Sequence, residues 1–216
     1  MFEAVILTVT PELTKKEFDA LFPLVTPDKQ ERIQKFHFFR DARNCLLGDI
    51  LARVETCRFT DLSMKQIEFA VNEYEKPFVV GKPRIQFNIS HAGHYIACII
   101  ADEPVGIDIE LITHVDMNLA ERFFTPDETA YIVNEQQANR FYEVWTKKES
   151  RIKLEGKGLN KPLSSFSIFE SSNQERLVYH KIFQNDEAVC HVCSTKQESP
   201  SVRIINIATF MQYIKK

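Results

Sequence analysis

Val105-Gly106-Ile107-Asp108-Ile109-Glu110-Leu111 alternates apolar and other residues along its whole length. Successive side chains of a strand point to opposite faces, so Val105, Ile107, Ile109 and Leu111 share a core face. Gly106, Asp108 and Glu110 share the other. The two carboxylates then stand about 6.6 Å apart, two strand rises of ~3.3 Å. Like charges so close repel unless a cation lies between them. A solvated strand face is the plain alternative for a lone pair of acids. The flanking residues are apolar enough for a central strand, and Gly106 is expected to leave room for a ligand on the acidic face.

Downstream, Phe141, Trp145, Glu149 and Lys153 recur at four-residue spacing. They stack on one face of a helix expected over 139–154. A surface Glu-to-Lys pair at that spacing would stabilise the helix by only a few tenths of a kcal/mol, about 0.2–0.5. The aromatic stripe instead points inward and puts Glu149 at the rim of a buried site. Asp108, Glu110 and Glu149 are three hard oxygen donors, a set that suits Mg²⁺ with water and phosphate completing its shell. Upstream, Phe87-Asn88-Ile89-Ser90-His91 ends an alternating strand in polar groups.

Further outward, Thr26-Pro27-Asp28 opens a helix with threonine as cap and proline in the first turn. A second helix follows from about residue 41, with Cys45, Leu46, Ile50 and Val54 as its apolar stripe. Strands are expected at 5–9, 67–71, 85–89, 95–101, 105–111, 166–169, 177–183, 189–193 and 202–207, and a short helix at the end. Ser171 to Gln174 reads as a hairpin turn. Thr26-Pro27-Asp28 recurs 99 residues later as Thr125-Pro126-Asp127, where Glu128 adds a capping box. The same offset lays helix 42–54 onto 141–153. The organisation expected is α+β, two similar halves over 1–103 and 104–216 with a seam at Asp102-Glu103-Pro104.

Composition sets the limits. The 216 residues carry 27 Lys plus Arg and 30 Asp plus Glu, a net charge of −3, which disfavours long nucleic acid as a partner. Only six glycines occur, and none forms a glycine-rich phosphate cradle. Phosphates would have to be held by side chains or a metal. The start has no cationic region and no long apolar run, so neither a signal peptide nor a membrane span is expected. Five scattered cysteines suit a reducing cytoplasm. Cys190-His191-Val192-Cys193 lacks a second ligand pair for zinc and reads as part of a strand.

Lys76-Pro77, Phe87 to His91, Gly106 to Glu110 and Trp145-x-x-Lys148-Glu149-Ser150-x-x-Lys153 occur in this order. Asp41-Ala42-Arg43, Leu46-Leu47-Gly48-Asp49 and Glu155-Gly156-Lys157-Gly158-Leu159 extend the match to nearly the whole chain. The sequence resembles a 4′-phosphopantetheinyl transferase of the Sfp type. The resemblance implies a pseudo-twofold monomer of two α+β halves with coenzyme A and Mg²⁺ between them. It implies transfer of phosphopantetheine to a serine of an apo carrier protein, peptidyl or acyl, with 3′,5′-ADP leaving. Such enzymes serve peptide and polyketide synthases, hence nonribosomal peptide and antibiotic biosynthesis. Asp108, Glu110 and Glu149 match the metal ligands, Glu149 also the general base, and Lys153 the lysine at the pyrophosphate. Ser90 and His91 match nucleotide-side contacts, Lys29 and Arg32 the pair near the 3′-phosphate, and Lys76 the lysine beside the adenine pocket. Cys45 falls where a nucleotide-contacting threonine is common. Arg32, Cys45, Glu75 and Ala92 depart from the family pattern, which commonly has lysine, threonine, glycine and serine there. The carrier contact of the family lies after the D-x-E strand, here Met117, Leu119, Phe123 and Phe124.

Overall fold

The computed structural model describes residues 1–133, 136–158, 161–170 and 176–214. The turn expected at 171–174 lies outside the described residues. In the first half, β1 (Phe2–Thr8) runs antiparallel to β5 (Tyr95–Ala101), which runs antiparallel to β4 (Gln86–Ala92). In the second, β6 (Gly106–Leu111) pairs with β8 (Ala188–Ser194), which pairs with β7 (Val178–Gln184), again antiparallel. Each half is therefore one strand, a run of helices, and a hairpin whose last strand returns beside the first. β9 (Ser201–Asn206) then crosses back and adds parallel to β1.

The helices follow their sequence signals. Thr14 and Glu17 form a capping box at α1 (Lys15–Leu21). Pro27 opens α2 (Pro27–Gln34), although the Thr26 side chain makes no cap bond. α3 (Phe39–Arg58) is the long helix of the first half. α4 (Met117–Phe123) starts at Asp116, and α5 (Pro126–Ile132) carries the expected box of Thr125 and Glu128. α6 (Gln137–Glu155) ends at Gly156, whose φ of 65° favours glycine. The chain closes with α7 (Ile207–Ile214).

All seven residues of β5 are buried, because both of its faces are covered. Ile96, Cys98 and Ile100 face a core built on Leu46, Leu47, Ile50 and Leu51 of α3. Ala97 and Ile99 face Ile107 and Ile109 of β6 and Cys190 and Val192 of β8. The first sheet is thus covered by α3 on one side and by the second sheet on the other. Cys190 serves as an apolar packing residue at that interface.

One expected strand is absent. Residues 166–169 form no ladder, because side chains take their backbone groups. Phe166 gives its carbonyl to Lys148, Ile168 N–H donates to Glu128, and Phe169 N–H donates to Ser167. A short hairpin of β2 (Phe69–Val71) and β3 (Pro77–Val79) follows α3. Its strand starts two residues later than expected, since the carbonyl of Ile67 accepts from Arg53.

Candidate active site

The two halves meet where β4 runs beside β6. The buried Asn88 side chain accepts from Ile107 N–H at 2.9 Å and so bridges the two sheets. Two residues on, Ser90 points the same way and donates to Asp108 Oδ1 at 2.9 Å. Lys153 Nζ reaches the same oxygen at 2.6 Å and the Ser90 hydroxyl at 2.9 Å. Lys153 therefore pairs with the acid across the sheet and not with Glu149 on its own helix.

Gly106 sets how close the helix lies. A Cβ built there would stand 1.9 Å from the carbonyl oxygen of Ser150 and 2.4 Å from the Leu154 nitrogen. The expected room for a ligand is instead filled by the backbone of α6. The glycine acts through that approach. It lets α6 lie directly on β6, with Glu149 and Lys153 over Asp108 and Glu110.

Ile89, Ser90, His91, Asp108, Glu110, Trp145, Glu149 and Lys153 line one open cavity of about 300 Å³. Every residue there except Ile89 and Trp145 is polar or charged. Burial raises the Asp108 carboxyl, against the pull of Lys153 and Ser90. Glu110 is pushed up to about 7 by burial and by the charges of Asp108 and Glu149, while a hydrogen bond from Trp145 opposes. Burial and Asp108 likewise raise Glu149. His91 stands exposed at the rim, where surrounding protein and the Lys153 ammonium lower its pKa. The second oxygen of Asp108 is buried with no hydrogen-bond partner. Among the described residues, no three Asp, Glu, His or Cys side chains are gathered tightly enough to enclose an ion. The three acids share the cavity, and Lys153 is the cation among them.

Ile89 also lines an adjoining cavity of about 460 Å³ that holds Lys29 and Arg32 of α2. Asp49 and Arg53, given no site role from sequence, add to its charge, as do Asp28 and Glu75. Asp49 accepts from Arg53 at 2.6 Å and lies 3.6 Å from Lys29. Arg53 also stacks its guanidinium over Phe69. The helical spacing of Asp49 and Arg53 is visible in sequence, but ordinary surface pairs share it. Cys45 lines neither cavity and packs against the first core. Lys76 lines neither as well. Its ammonium bonds the carbonyls of Val105 and Leu154, although its neighbours Glu75 and Pro77 do face the larger cavity. Of the segment after β6, Phe124 is buried, Met117 and Phe123 are half-buried, and Leu119 is exposed.

A family model for the 4′-phosphopantetheinyl transferase superfamily matches residues 104–208, and one for the N-terminal part of 4′-phosphopantetheinyl transferases matches 11–104. The 4′-phosphopantetheinyl transferase Sfp of Bacillus subtilis is 38% identical over 159 residues, 72% of this chain and 71% of that protein. The chain belongs to the 4′-phosphopantetheinyl transferase family. The transferase gsp of Aneurinibacillus migulanus is 37% identical over 184 residues, 84% of this chain and 76% of its own length. The transferase psf-1 of Bacillus pumilus is 40% identical over 156 residues, 71% and 67% of the two chains. Among the described residues, no helix of this transferase is long and apolar enough to cross a membrane.

Proposed function

We propose that this transferase moves 4′-phosphopantetheine from coenzyme A to a serine of an apo peptidyl or acyl carrier protein. The serine oxygen bonds to the β-phosphorus as that phosphorus parts from the bridging oxygen of 3′,5′-ADP. The observation that carries the reading is Asp108, a buried carboxylate with one oxygen on Ser90 and Lys153 and the other unpartnered. A spare buried oxygen in an acid-lined cavity fits a hard divalent cation. Lys153 is the cation on Asp108 here, so Asp108, Glu110 and Glu149 would hold Mg²⁺ only once their side chains draw closer together; when bound it would neutralise charge on the pyrophosphate.

The chain's own groups do the rest. Glu149, which lines the same cavity, takes the proton of the serine hydroxyl. Lys153 sits within the same cavity and stabilises charge on the leaving phosphate. Ser90 and His91 contact the phosphates from the strand side. Lys29 and Arg32, joined by Arg53 in the adjoining cavity, hold the 3′-phosphate end. Five free cysteines support a reducing cytoplasm.

The test is loading of an apo carrier from coenzyme A and Mg²⁺, read as a mass increase on the carrier serine. Asp108→Ala should lower that rate by about 100-fold or more, as loss of a transition-state contact does. A rate equal to wild type would remove Asp108 from the site. Release of 3′,5′-ADP that ignores the carrier would make the enzyme a hydrolase.

A further inference from the structure

The turn between β2 and β3 belongs to the first half but grips the helix of the second. Asn72 Oδ1 accepts from the backbone N–H of Tyr74 and of Lys76, each at 2.9 Å, which fixes the turn. The Asn72 amide donates outward to the carbonyl of Gly156 at 3.2 Å. Lys76 Nζ donates to the carbonyl of Leu154 at 3.0 Å and to that of Val105 at 3.3 Å. These carbonyls belong to the C-terminal end of α6 and to the residue just before β6. Carbonyls at a helix end lack partners within the helix, and a cation there is favourable. The fit is close, since a Cβ on Gly156 would stand 2.8 Å from Lys76 Cδ. Glu75 takes a φ of 64°, the left-handed region that favours glycine, so the turn is held in shape against local preference.

The other face of the same hairpin looks into the larger cavity. Phe69, Ala70, Val71, Glu75 and Pro77 line it beside Lys29 and Arg32. One short element thus touches both the phosphate-holding cavity and the end of the helix that carries Glu149 and Lys153.

We propose that residues 72–76 form a clamp that sets α6 against β6, with Lys76 a positioning residue for Glu149 and Lys153 and not a contact of the nucleotide. The proposal rests on the transferase reading for its kinetic test, but its structural test does not. Misplacing reacting groups by about 1 Å costs up to 100-fold in rate. A clamp therefore acts on kcat, whereas a nucleotide contact acts on KM.

Two variants decide it. Lys76→Met keeps the stem and removes the ammonium. Asn72→Asp keeps the two turn bonds at Oδ1 but replaces the donor to Gly156 by an acceptor, so it leaves the turn intact if Lys76→Met fails to fold. Carrier loading should show kcat lower by about tenfold for Lys76→Met and about threefold for Asn72→Asp, with the KM for coenzyme A within about twofold of wild type. Trp145, the single tryptophan, sits on α6 at the cavity, so its fluorescence reports the helix. Its emission should change in both variants before coenzyme A is added. A raised KM with wild-type kcat and an unmoved emission would overturn the clamp and make Lys76 a nucleotide contact. If wild type loads no carrier, the transferase reading fails, and the Trp145 emission still decides the clamp.

Discussion

α3 and α6 pack on their sheets as counterparts, yet the two contacts are built differently. In the first half the glycine is on the helix. A Cβ on Gly48 would stand 3.2 Å from the Ile89 side chain and 3.8 Å from that of Ile96. In the second half the glycine is on the strand, and a Cβ on Gly106 would strike helix backbone at 1.9 Å. Side chains can give by tenths of an ångström; a hydrogen-bonded helix backbone cannot. The contents differ too. By the 99-residue offset, Glu149 and Lys153 of α6 stand where α3 has Ile50 and Val54, both buried in the first core. One topology therefore yields a soft apolar contact in one half and a rigid, charged one in the other. The rigid contact is the one that carries the acids.

The contrast is broken most directly at Gly106. Gly106→Ala should push α6 off β6, since no rotamer relieves a Cβ clash with backbone. The expected loss exceeds about 4 kcal/mol, beyond the usual range for one substitution. Carrier loading should fall below detection. Denaturant unfolding and the loading assay check this together. A stable Gly106→Ala protein that loads at the wild-type rate would show that the close approach is not needed.

Lys148 tests the rigidity of α6 from its other side. It is fully buried, paired with Glu128 at 2.7 Å and bonded to the carbonyls of Leu163 and Phe166. Burial lowers its pKa, and Glu128 opposes that shift. Removing one partner of such a pair strands the other charge, at about 3–5 kcal/mol. Lys148→Met should lose that much in a urea melt. Adding Glu128→Gln should recover at least about half, because it removes the stranded charge and keeps an acceptor for the backbone N–H of Ile168. Equal stability of the single and double variants would mean that packing, not charge, holds α6 here.

These residues also mark how far the sequence could be read. Strict alternation from Val105 to Leu111 put Asp108 and Glu110 on one strand face, and four-residue spacing from Phe141 to Lys153 put Glu149 and Lys153 on one helix face, because both periods are local properties of the chain; only the family resemblance joined the two faces into one site. The capping box of Thr125 and Glu128 was legible for the same reason. That Glu128 also neutralises Lys148 was not, since the pair spans 20 residues and depends on how α5 meets α6. Gly106 was read as space for a ligand because a sequence shows the missing side chain but not the helix that fills its place. Residues 166–169 have strand composition, and only the demands of Lys148 and Glu128 on their backbone turn them into a loop. Lys76 lies in a matching motif, yet the direction of its side chain is set by the end of a helix 78 residues away.

Gly48→Ala is the smallest expected effect and the sharpest control for the comparison. Replacing glycine inside a helix gains about 1 kcal/mol of propensity. Against this stands the 3.2 Å contact with Ile89, which must shift by a few tenths of an ångström. Mild overpacking in a core costs about 1–3 kcal/mol, and the low end applies where the neighbour is a free side-chain terminus. The two effects nearly cancel, so stability should stay within about 1 kcal/mol of wild type. Ile89 borders both cavities, so a small rise in the KM for coenzyme A is the one kinetic trace expected, with kcat unchanged. Urea melts and carrier loading of Gly48→Ala beside Gly106→Ala measure the contrast. If Gly48→Ala lost as much as Gly106→Ala, α3 would sit as rigidly as α6, and the stiffness at the site would belong to the shared topology and not to the glycine beneath the acids.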